Sequence, residues 1–139
     1  VVKIIVELQS SDFSVDAVLQ KLRTSRNIGC VVTFVGIVRG TSTDGKPVTS
    51  LELEAYTEMA KKSMVSLATD AKTKFELEDI AIIHRVGKLS VGENIICIAV
   101  ASAHRETAFK ACKWLIDELK KLVPIWKHEF VSGSACIAQ

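Results

Sequence analysis

The sequence predicts an α+β protein with a mixed sheet. Two observations carry this. Strand-like and helix-like segments follow the order β-α-β-β-α-β-β-α-β. Twice in that order two strands are joined by a loop alone, which a purely alternating parallel fold would not do. No internal repeat, low-complexity stretch or linker interrupts the pattern, so residues 1–139 are read as one domain.

The elements follow from periodicity and punctuation. Residues 2–8 read as a strand that alternates like mature protein, with no secretory signal before it. Ser14 is a helix cap, and Val15, Val18, Leu19 and Leu22 form one apolar face of a helix running to about Thr24. "GCVVTFVGIVRG" (29–40) is a buried, β-branched strand. "GTSTDGKP" (40–47) is a polar, mobile loop. In "VTSLELEAY" (48–56), Leu51, Leu53 and Ala55 face one way, and Glu52, Glu54 and Tyr56 the other.

A long helix opens at Thr57 and runs to about Phe75. Its stripes are Met59, Ser63, Leu67 and Ala71, and Ala60, Met64 and Ala68. "IAIIHRVG" (80–87) is a strand and "ENIICIAVAS" (93–102) a central one. A third helix spans about 104–122, with Ala108, Cys112, Leu115, Leu119 and Leu122 toward the core. Pro124 cannot continue it, and "IWKHEFV" (125–131) is the last strand.

Composition narrows the function. The net charge is only +2, so this is not the footprint of a general nucleic-acid binder. Apolar runs are too short and interrupted to span a bilayer. Cys30, Cys97, Cys112 and Cys136 form no CxxC pair and read as buried thiols of a reducing cytoplasm, not as disulfides or metal ligands. Any anion site must come from local clustering of positive charge.

Several residues could supply such a cluster. Arg39 sits at the exit of a buried strand beside a loop; it is either a ligand contact or an ordinary solvated strand end. His104 and Arg105 open the third helix, where free N–H groups and the dipole favour anions, so the pair suits a phosphate or carboxylate. The competing reading has His104 as a cap and Arg105 paired with Glu106. His84 and Arg85 are adjacent in a strand and point to opposite faces, so they read as structural or as part of a subunit interface.

Lys120 and Lys127 flank "KLVPIW" and are brought together by the turn at Pro124. Close ammonium groups lower each other's pKa and can make one an acid, base or nucleophile; the alternative is two solvated surface lysines. Glu129 shares a strand face with Lys127 and either orients it or is a surface carboxylate. Trp114 and Trp126 are packing residues, and Trp126 could equally wall a pocket for a flat ring. His104 and Lys120 are about 24 Å apart along one helix. They belong either to different sites or to one site completed by a second subunit across a two-fold axis.

The stretches "VVTFVGIVRG", "LELEAY", "IHRVGKLSVGE", "SAHRETAF" and "LKKLVPIWKHE", in that order over about residues 28–130, resemble the large, catalytic subunit of molybdopterin synthase. The resemblance implies an α/β-hammerhead fold and a sulfurtransferase of molybdenum cofactor biosynthesis. Its partners would be a second copy and a small ubiquitin-like sulfur-carrier subunit with a Gly-Gly C-terminus, forming a heterotetramer in the cytoplasm. Sulfur from the carrier's thiocarboxylate would convert cyclic pyranopterin monophosphate into the dithiolene molybdopterin.

By the matching motifs, Lys120 and Lys127 are the essential lysines. Arg39, His104 and Arg105 are the anion-binding set, and Ile37, Val38, His128 and Glu129 are further substrate contacts. No resident cofactor or metal is implied, no nucleic acid or membrane partner, and no Walker-type loop for ATP is present. Relatives often carry a longer tail than the "FVSGSACIAQ" seen here, so tail contacts to the partner or neighbouring subunit are expected to be reduced or replaced. The alternative is a non-catalytic α+β module that binds a phosphorylated ligand or a protein partner.

Overall fold

The computed structural model describes residues 3–131 and the backbone of residues 136–138. The element order is β1 (Lys3–Gln9), α1 (Val15–Lys21), β2 (Cys30–Ile37), β3 (Val48–Ala55), α2 (Thr57–Phe75) and β4 (Asp79–Arg85). It continues with β5 (Gly87–Ser90), β6 (Asn94–Ser102), α3 (Arg105–Leu122), β7 (Ile125–Val131) and β8 (Cys136–Ala138). The α+β class and the expected succession of elements are present, with two short strands added, β5 and β8. Gly87, at φ 99°, starts β5 in a conformation that L side chains rarely adopt.

The strands form two sheets. One is mixed, in the order β1-β4-β6-β2, with β1 and β4 parallel and the other pairs antiparallel. The other, β5-β3-β7-β8, is antiparallel throughout. "ENIICIAVAS" is central, as its continuous apolar run predicts.

Helices α2 and α3 cover one face of the mixed sheet. Met64, Leu67, Ile80, Ile82, Ile98 and Leu115 belong to the core between them. The opposite face packs under α1, through Val18, Leu22, Ala81 and Ile83. A third, smaller core of Val38, Leu51, Leu53 and Leu89 lines the antiparallel sheet. Ile95 and Ile125 touch both this core and the main one, so they mark the seam between the sheets.

Several boundaries differ from the periodic reading for physical reasons. Ser14 does cap α1, accepting from the Ala17 N–H at 3.2 Å. The helix stops at Lys21, and Thr24 turns instead to the fully buried Asp79. The carboxylate accepts from the Thr24 hydroxyl at 2.7 Å, the Thr24 N–H at 3.1 Å and the Lys3 N–H at 3.0 Å. Strand β2 ends at Ile37, where its register with β6 shifts; the Val38 N–H goes to the Glu93 carbonyl. Met59 and Leu122, both expected in the core, are 60% and 62% exposed. Val123 is buried in place of Leu122 as the chain turns toward Pro124. Helix α2 ends on Glu76 in the left-handed region, at φ 52°.

The segment expected as a mobile loop is tied by hydrogen bonds. The Ser42 hydroxyl donates to Asp44 at 2.7 Å and accepts from the Lys46 N–H at 3.0 Å. The Val48 N–H reaches back to the Gly40 carbonyl at 3.0 Å. Arg85 is structural. Its buried guanidinium donates to the Ser10 and Asn94 carbonyls at 3.0 and 3.1 Å and to Glu93 at 3.3 Å, joining the ends of β1, β4 and β6.

Cys97 and Cys112 are buried free thiols, and burial pushes both up to about 11. Cys30 is half-buried. The side chain of Cys136, expected as a fourth buried thiol, lies outside the described residues, as do Val2 of the first predicted strand and most of the tail. No helix among the described residues is long and apolar enough to cross a membrane.

Candidate functional site

The seam between the sheets opens into a cavity of about 700 Å³. Three independent elements bring cations to it. Arg39 follows the end of β2, Lys120 sits in the last turn of α3, and Lys127 is the third residue of β7. The reversal at Pro124 places the two lysines on one cavity, as the sequence suggests. Glu129 lines the same space, two residues beyond Lys127 on the same face of β7. Opposite them in β3 stand Leu53, paired with Lys127, and Leu51, paired with Glu129.

Ile37 and Val38 also line the cavity, Ile37 half-open to solvent and Val38 buried. Apolar walls come from Phe34, Ile96, Ile116 and Leu119. On α3, the cavity takes Ile116, Leu119 and Lys120, one stripe at helical spacing, followed by Val123 at the helix C-cap. The site therefore combines three cationic side chains and one carboxylate with an apolar body. That suits a ligand with an anionic end and a flat or aliphatic remainder.

The lysines of α3 are not equivalent. Lys110 pairs with Glu106 at 3.2 Å, Lys113 with Asp117 at 2.6 Å, and Lys121 with Glu118 at 3.2 Å. Lys113 is the main reason the Asp117 carboxyl is held low; Lys121 and Lys120 add to it. Lys120 forms no ion pair among the described residues, and neither do Arg39 and Lys127. Arg39 donates to the Thr41 carbonyl at 3.1 Å, which turns it toward the start of the 40–47 loop.

Other expected site residues lie elsewhere. His104 and Arg105 are exposed at the N-terminus of α3 and do not line the cavity. The uninterrupted helix keeps them about 24 Å from Lys120. His104 occupies the N-cap position, but its side chain makes no capping bond; its N–H donates to the Ser102 hydroxyl at 3.4 Å. Arg105 does not pair with Glu106, which holds Lys110 instead. His128 pairs with Glu52, on the face of the antiparallel sheet turned away from the cavity. Trp126 shares that face and does not wall the cavity. It stands edge-on to Tyr56, with ring centres 4.9 Å apart. Trp114 packs against Phe75 as expected.

One cavity residue was not anticipated. His84, read as structural or interfacial, lines the cavity while 94% of its surface is covered. Alternation in β4 puts it on the same face as Ile80 and Ile82, which belong to the core under α2 and α3. That was legible; that this face ends at a cavity was not.

Comparison with known proteins agrees with this architecture. The family model described as MoaE protein matches residues 8–122. A protein of Thermoplasma volcanium named molybdopterin synthase catalytic subunit is 40% identical over 128 residues, covering 92% of each chain. A Pyrococcus abyssi protein of the same name is 43% identical over 118 residues, 85% of this chain and 78% of that one. The crystal structure of molybdopterin synthase from Staphylococcus aureus superposes with a TM-score of 0.87 at 31% identity, covering 96% of this chain and 95% of the other. With a family match across most of its length and relatives of this identity over nearly all of it, the chain belongs to the MoaE protein family.

Proposed function

We propose that the chain is the catalytic subunit of a molybdopterin synthase in the cytoplasm. In two successive transfers it takes sulfur from the thiocarboxylated C-terminus of a small ubiquitin-like subunit, which is left as a carboxylate, and delivers both atoms to cyclic pyranopterin monophosphate, forming the dithiolene. The observation that carries the reading is the convergence of Arg39, Lys120 and Lys127 on one apolar-walled cavity, with Lys120 forming no ion pair among the described residues.

Each group has a task. Lys127 and Arg39 hold the substrate phosphate and the pterin. Lys120 stands beside the thiocarboxylate carbon and moves a proton during sulfur transfer and ring opening. The apolar walls exclude water from the thiocarboxylate, which hydrolysis would waste. Ile37, Val38 and Glu129 complete the substrate surface. Sulfur arrives with the carrier, so the chain's own cysteines are not needed to carry it.

His104 and Arg105 cannot reach the same small ligand from within one subunit. In a two-fold dimer, the N-terminus of one α3 meets the cavity of the neighbouring subunit, and two equivalent sites result. Each dimer then receives two small subunits.

The test is reconstitution. The protein, a thiocarboxylated small subunit and cyclic pyranopterin monophosphate are mixed without oxygen, and the dithiolene is read as its oxidised fluorescent derivative. Product is expected, and its formation should be strongly slowed in Lys120→Ala. A stable complex with the small subunit that yields no product would reduce the chain to a binding subunit and overturn the reading.

A further inference from the structure

His84 is the one titratable cavity residue to which the proposed chemistry gives no role. Its backbone is fixed between Leu8 of β1 and Ile96 of β6. Its Nδ1 lies 2.8 Å from the Arg85 carbonyl oxygen. A carbonyl only accepts, so Nδ1 carries the proton. Burial holds the imidazole below its ordinary value of 6.5, which keeps it neutral near pH 7. The neutral ring with hydrogen on Nδ1 has a lone pair at Nε2.

That lone pair is unused within the described residues, where the Nδ1 contact is the ring's one hydrogen bond. Yet no buried side-chain nitrogen or oxygen there lacks a partner. Nε2 is therefore not sealed in the core. It keeps some access to solvent, and the space that His84 lines is the cavity.

Depth separates His84 from the cations. Arg39, Lys120 and Lys127 are exposed at the rim, whereas His84 is buried. Ile96 and Leu119 belong to the apolar wall. A ligand held at the rim by its anionic end would slide its body between these walls and meet an acceptor at the floor.

We propose that His84 is a substrate-contacting residue whose Nε2 accepts a hydrogen bond from a ring N–H of the bound ligand. This rests on the cavity being the substrate site, and it narrows the ligand class to phosphorylated heterocycles with an N–H donor far from the phosphate. A ligand of the same shape without that donor would leave Nε2 dehydrated and unpaired. Sites built around such a bond reject the analogue that lacks it.

The experiment uses the 15N-labelled full chain, with long-range proton–nitrogen spectra of the imidazole rings and His84→Asn to assign them. Nε2 of His84 should resonate as an unprotonated nitrogen. It should move when cyclic pyranopterin monophosphate is added under anaerobic conditions, and stay in place with inorganic phosphate. His84→Asn retains a donor for the Arg85 carbonyl but has no acceptor at the Nε2 position. It should weaken binding of the pterin phosphate tenfold or more and leave inorganic phosphate inhibition unchanged. His84→Gln, whose side-chain oxygen reaches near the place of Nε2, should recover much of the loss.

An Nε2 signal that ignores the pterin, wild-type affinity in His84→Asn, or equal loss in the Asn and Gln variants would each overturn the proposal. The two readings fail separately. A responding Nε2 without dithiolene product removes the sulfur transfer and leaves the contact; product with a silent Nε2 does the reverse.

Discussion

Lys120 and Lys127 reach one cavity from two different elements, the last turn of α3 and the third residue of β7, because the chain reverses at Pro124 between them. Both side chains are exposed, so neither supports the core. Lys120→Ala should lower turnover about 10²- to 10⁴-fold, the range for losing a positioned proton-transfer group. Lys127→Ala should act mainly on KM for the phosphorylated substrate. Each should change stability by no more than about 0.5 kcal/mol. Steady-state kinetics with thermal melts checks this; a variant that is inactive because it is unfolded would contradict the assignment.

Gly29 governs the far end of α3 from a distance in sequence. Its N–H donates to the Ser102 carbonyl at 2.9 Å, and a Cβ at this position would lie 2.3 Å from the Ala103 carbonyl oxygen. Backbone cannot step aside as a flexible side chain can. Gly29→Ala should cost about 1–3 kcal/mol, by analogy with overpacking, and displace the start of α3 with His104 and Arg105. Chemical denaturation reads the cost, and an unchanged midpoint would contradict the geometry.

Stability should depend on pH through His84. The folded state holds this imidazole below 6.5, mainly by burial, while the unfolded chain titrates near 6.5. Below that value the unfolded state binds more protons. The contribution is therefore complete above about pH 6.5 and is lost as pH falls toward the depressed folded-state value. Melting temperature should drop as pH falls below about 6.5, and His84→Gln should flatten the slope. Asp12 is held low by the Phe13 N–H and Glu93 by the Ser90 N–H, so both titrate below this window. Equal slopes in the two proteins would sink the prediction.

Glu76 closes α2 with a positive φ, at an exposed position. Left-handed backbone costs an ordinary residue roughly 1–2 kcal/mol, and glycine avoids most of that while losing some unfolded-state entropy. Glu76→Gly should stabilise the protein by about 0.5–1 kcal/mol. A lower melting temperature would show that the Glu76 side chain contributes more than its backbone costs.

What the sequence made legible follows the range of each interaction. Thr57 and Phe75 bound α2 as periodicity indicates. Pro124 ends α3 close to where steric exclusion requires, because both signals are local. The end of α1 was not legible: Thr24 leaves the helix for Asp79, 55 residues away. The split into two sheets was likewise hidden, since β3 pairs with β7 across more than seventy residues and alternation does not name a partner. In the site, Arg39, Lys120, Lys127 and Glu129 fall on one cavity. His84 escaped because alternation gives a side chain's face and not what that face meets. Trp126 packs against Tyr56, one of its two readings, and His128, a contact implied by the resemblance alone, does not line the cavity.

The unbroken run of α3 from Arg105 to Leu122 makes it a gauge with a fixed phase. Inserting one residue in its middle would advance the far end by about 1.5 Å and rotate it by about 100°. Lys120 would swing off the cavity, or, with Leu115 and Leu119 keyed into the core, the strain would pass to Arg105 at the opposite tip. Length in this helix is therefore tolerated only in near-whole turns, and even a well-phased insertion would change the spacing between the two charged ends by a full pitch.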